Sequence, residues 1–135
     1  MINKESGMSL ITKTVTRLTA GLILIYAFYV VLKGHLGPGG GFAGGIIIAL
    51  AFVHLMLAFG KEVALAKLDQ AKGLFLCSLG ALIFLCAFTS ETLGFKVNPV
   101  IFMPLIDIAA ALMVGTGLFI VFLALVLFVE GSLKR

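Results

Sequence analysis

The chain has 135 residues, of which 61% are hydrophobic and 12% charged, where soluble domains hold about half and about a quarter. Too few polar side chains remain to clothe a water-facing surface, so the composition excludes an ordinary soluble domain and points to an integral membrane protein. The formal charge of +4 would draw a soluble protein to nucleic acid; here the cations fall between apolar runs, where they report orientation, and no nucleic-acid partner is expected.

In chain order, four apolar segments are expected to span the bilayer: 14–32, 42–59, 73–89 and 105–129. At about 1.5 Å per residue they reach roughly 26–37 Å, against a hydrocarbon core of about 30 Å. Period-two alternation is absent, so the spans are helices and the fold class is all-α, a single membrane domain over 1–135. The basic start followed by apolar residues up to Leu32 resembles a signal peptide, yet it runs into Lys33 and Gly34 without a small-residue cleavage pattern and reads as a retained first span. Between the second and third spans, 65–72 is at most a short amphipathic connector. Lys4, Lys13, Arg17, Lys61, Lys67, Lys72, Lys134 and Arg135 share one side of this topology, and only Lys33 and Lys96 the other. The positive-inside rule then puts both termini in the cytoplasm of a cell-membrane protein.

The first connection reads GHLGPGGGFAGG, Gly34 to Gly45. Pro38 pushes Gly37 out of helical geometry, and Gly39, Gly40 and Gly41 follow, so the backbone turns here. Such glycines either expose amides as a small anion-binding concavity or admit a neighbouring helix to the backbone. No lysine and hydroxyl residue follow them, which argues against a phosphate loop. Gly40 with Gly44, and Gly41 with Gly45, form overlapping small-xxx-small pairs at the start of span two. Span three carries Gly73, Cys77, Gly80 and Ala81, and span four Ala110 or Ala111, Gly115 and Gly117. These faces serve either the chain's own packing or foreign helices, and the latter is the expectation.

Three ionisable groups stand at or near bilayer depth, where a central charge costs roughly 2.5–3.5 kcal/mol. His54 shares its face with Ala51 and Ala58, which leaves room for a helix or water; it is either a neutral imidazole bonded to a carbonyl or a member of a proton path. Asp107 follows Pro104 by three residues, as in a helix start with proline first and an acid in the first turn. Alternatively it joins His35 and the glycine turn at a hydrated cation or proton entrance. Glu91 reads as solvated loop charge. Cys77 and Cys86, nine residues apart, project from opposite faces of one helix and read as free thiols rather than a disulfide or metal pair. Serine, histidine and acid residues are too scattered for catalysis, so no catalytic residue, no metal site and no cofactor are expected in this chain.

The glycine stretch from Gly34 to Gly45, with Asp107-Ile108 at the head of the last span, resembles the B-type (MnhB/MrpB family) component of Mrp-type multisubunit sodium/proton antiporters. Length and four spans extend the likeness over nearly the whole chain. The resemblance implies a small subunit of a hetero-oligomer that exchanges Na+ and H+, beside antiporter-like large subunits and small membrane subunits. It equally implies the sodium-translocating module of ferredoxin-linked membrane-bound hydrogenases and related respiratory complexes, with any redox cofactor in another chain. Large subunits of such assemblies carry the lysine and glutamate channels, so this chain is assigned a supporting role, lining an ion path near His35, Pro38, Phe42 and Asp107 and docking its glycine faces on partners.

Overall fold

The computed structural model describes residues 9–67 and 69–135. Lys4 and Leu68 lie outside the described residues, as do the side chains of Lys61 and Lys67. Helices α1 (Leu10–Lys33), α2 (Gly41–Phe59), α3 (Lys61–Lys67), α4 (Gln70–Thr92) and α5 (Pro99–Leu133) follow one another, with one 3-10 turn at Gly34–Leu36 after α1. α1, α2, α4 and α5 are long and apolar enough to cross a membrane, which defines a multi-pass helical membrane protein.

Local chemistry sets the ends. Ser9 caps α1 by accepting from the Thr12 amide, and Asp69 caps α4 by accepting from Gln70. The third span starts at Gln70, a little before the expected Gly73, and part of the expected connector is the short helix α3, whose Leu65 packs partly against Met56, Phe119 and Leu123. The last span departs most from expectation. It begins at Pro99, not Leu105: Asn98 accepts from the Val100 amide and Pro99 occupies the first helical position. Pro104 is therefore inside the helix, and Asp107 lies two turns in rather than in the first turn. The pattern that reads as a helix start at Pro104 occurs five residues earlier, at Asn98-Pro99, with the stronger cap.

The long helices lie side by side in the order α1, α2, α5, α4, so α2 and α5 form the centre and α4 rests on α5. Few large side chains fill this interior; Phe119 and Leu123 are the largest fully buried ones, and the Phe52 and Phe119 rings lie 5.6 Å apart. Most of the rest is alanine and glycine, with Val31, Met56, Phe102, Thr16 and Thr116. A Cβ on Gly45 would come within 2.9 Å of the Ala111 carbonyl oxygen, one on Gly115 within 3.1 Å of the Gly45 carbonyl oxygen, and one on Gly80 within 2.9 Å of the Ala109 carbonyl oxygen. A Cβ on Gly44 would run into Val31. Where lipid is as apolar as leucine, close backbone approach supplies the packing that the hydrophobic effect cannot. The small-residue faces at Gly41, Gly44, Gly45, Gly80 and Gly115 are thus filled by the chain's own helices, which corrects the expectation that they await foreign ones. Gly21 alone among the mid-helix glycines of α1 and α2 has nothing within 4 Å of an added Cβ.

Candidate functional site

The site is the turn between α1 and α2. α1 ends with Lys33 and winds one tighter turn through Gly34, His35 and Leu36; Gly37 is then extended, and Gly39 and Gly40 take φ of 147° and 104°, a region other residues rarely occupy. Gly34 packs directly on Gly40, where a Cβ would collide with the Gly40 backbone. The turn is therefore tight because two of its glycines touch, and the three-glycine run reverses the chain.

α2 starts at Gly41, behind residues without side chains, so nothing in its own sequence can cap it. Asp107 of α5 does so instead: the Gly41 amide donates to its Oδ1 at 3.1 Å. A carboxylate at the positive end of a helix is favourable and satisfies an otherwise orphaned donor. The juxtaposition is held by backbone contact, since a Cβ on Gly41 would collide with the Asp107 carbonyl. Oδ2 faces Gly34, lying 3.3 Å from where a Cβ would stand there. Asp107 is half-buried, and one hydrogen bond is its whole set among the described residues.

The structure thus brings Asp107 together with Gly34, Gly40 and Gly41. His35 and Pro38 lie exposed on the same turn, and Phe42, in the first turn of α2, is 65% exposed. His54 is not part of the cluster: thirteen residues beyond Gly41 on α2, it stands about 20 Å away along the helix axis and is half-buried. Ala51 and Ala58, on the same face of α2, are both buried within the chain. Cys77 and Cys86 are free thiols; Cys77 Sγ donates to the Met113 carbonyl at 3.7 Å, and Cys86 is exposed. Glu91 is exposed near the α4–α5 connection. Sequence reasoning did not find that Asp107 caps a helix across 66 positions; the available signal was a helix start made only of glycines.

Four membrane-crossing helices with a carboxylate-pinned glycine turn at one end define a polytopic membrane protein. The family model described as "Domain related to MnhB subunit of Na+/H+ antiporter" matches residues 11–133, and the chain belongs to that family. It is 33% identical over 109 residues to the B-type component of the Na(+)/H(+) antiporter of Bacillus subtilis (strain 168), a match covering 74% of this chain and 76% of that protein. A Staphylococcus aureus (strain Newman) protein with the provisional name antiporter subunit mnhB2 is 45% identical over 65 residues, 48% of this chain and 45% of its own length.

Proposed function

We propose that this chain is a non-catalytic subunit of a multisubunit Na+/H+ antiporter in the cell membrane, where it helps form the ion path and holds partner subunits together. The observation that carries the reading is the bond from Gly41 to Asp107: in a chain of this family, it sets an acidic side chain on the glycine turn at one end of the bundle. Both termini face the cytoplasm and the turn faces outward, as the distribution of basic residues supports. There His35, Asp107 and the exposed backbone of the turn make a hydrated entrance for Na+ or H+. The partners are antiporter-like large subunits and small membrane subunits, and this chain works without a cofactor of its own. The antiporter names of the relatives favour this over a role in a ferredoxin-linked hydrogenase.

Deleting the gene in a host that relies on the complex, then measuring sodium-dependent proton exchange in vesicles, tests the reading; unchanged exchange would remove it. His35→Ala and Asp107→Asn are expected to lower exchange while the complex still co-purifies. Asparagine retains an oxygen for the Gly41 amide, so a loss in Asp107→Asn reports the charge and not the cap.

A further inference from the structure

The two helical hairpins differ in height. Because Asp107 meets the first residue of α2, the eight residues of α5 before it, Pro99 to Ile106, rise beyond Gly41, at the base of the glycine turn, by about 12 Å at about 1.5 Å per residue. α4 rises with them: Gly80 sits against Ala109 and Met113 of antiparallel α5, and twelve further residues of α4 follow to Thr92. This raised end is apolar and open, with Leu93 70%, Phe95 68%, Val100 76% and Ile101 66% exposed. Such side chains belong in hydrocarbon, with Glu91 and Lys96 marking the membrane surface. The glycine turn then lies below that surface.

Irregular backbone at that depth persists only inside protein or against water. Residues 35–39 are exposed in this chain, and the amides of Gly39 and Gly40 make no hydrogen bond among the described residues. An apolar cover would leave the exposed Gly39 amide and Asp107 Oδ2 unsatisfied, whereas water supplies both a donor and an acceptor.

We propose that the Gly34–Gly40 turn is the floor of a water-filled recess, about 12 Å deep at Asp107, open on the membrane face that carries Glu91 and Lys96, and that small hydrated cations reach Asp107 through it. The ion class rests on the antiporter reading; the recess does not. By helical periodicity Val100, Met103 and Pro104 share the face of α5 that carries Asp107, one to two turns above it, and this face is one wall of the recess. Lys33, the last residue of α1, adds positive charge near the floor, so the net field is read as the change on neutralising Asp107.

The test is thiol accessibility in the assembled complex in sealed native vesicles, in a Cys77→Ala/Cys86→Ala background. Leu36→Cys and Pro38→Cys, both at exposed positions, are compared with Glu91→Cys using cationic and anionic membrane-impermeant methanethiosulfonates. The expected result is that both turn thiols react with the charged reagents from the same side as Glu91→Cys, but more slowly. Adding Asp107→Asn should then lower the cation-to-anion rate ratio about three- to tenfold, for a unit charge about 6–12 Å away in water. Reaction as fast as at Glu91→Cys, or from the opposite side, overturns the recess. So does reaction with lipid-soluble maleimide alone, or with no reagent, because lipid or a neighbouring chain then covers the turn. An unchanged rate ratio overturns the role of Asp107. Failure of the antiporter reading appears separately, as exchange that survives gene deletion, and leaves the thiol pattern intact.

Discussion

The two turns on the glycine side of the bundle reverse the chain by opposite means. Between α4 and α5, local chemistry suffices: the Leu93, Gly94 and Phe95 amides donate back to Thr89, Glu91 and Ser90, Gly94 takes φ of 78°, and Asn98 caps the next helix. Between α1 and α2 almost nothing is local. Gly34 rests on Gly40, Gly39 lies 3.0 Å from Val30 by its missing Cβ, and the cap of α2 arrives from α5. A turn built from neighbours in sequence tolerates change one residue at a time; a turn built from tertiary contact fails together with the packing around it.

The difference is sharpest where a side chain would enter a backbone contact. Gly41→Ala and Gly45→Val are expected to cost about 3 kcal/mol or more, because α5 itself must move, and to abolish recovery of the folded subunit in mild detergent by size-exclusion chromatography. Full recovery of both would mean that the central seam is looser than described. Next comes the cap: Asp107→Ala should destabilise by about 1 kcal/mol and Asp107→Asn by much less, read from thermal unfolding midpoints in detergent. Equal midpoints for the two would make the Gly41 bond energetically irrelevant. In the local turn, Gly94→Ala should cost about 1 kcal/mol from its left-handed backbone alone, with assembly unaffected. The smallest effect is expected at Gly21, in open space on α1, where alanine should stabilise the helix by about 0.5 kcal/mol.

Span length and composition made the four crossing helices legible, since nothing else satisfies so many apolar residues in a row. The glycine turn was legible for a related reason: Pro38 and the triple glycine cannot continue a helix. The start of α5 was misread because Pro104 and Asp107 imitate a first turn, while Asn98-Pro99 was read as connection. Small-residue pairs announce that something approaches closely but not what approaches, so Gly44 and Gly45 could not name Val31 and Ala111 as their neighbours. The partnership of Asp107 and Gly41 is a matter of register between two helices far apart in sequence, and register is written in the whole interface rather than in either residue.

The side-by-side order of the helices also bears on biogenesis. α1 and α2 are neighbours made one after the other, but α4 rests on α5, which is made after it and also supplies the lid on the amide end of α2. Until α5 partitions into lipid, α4 lacks its main neighbour and the glycine turn its fastening. A chain stalled before α5 is therefore an early hairpin and a stray helix, the form in which membrane quality-control proteases would meet it.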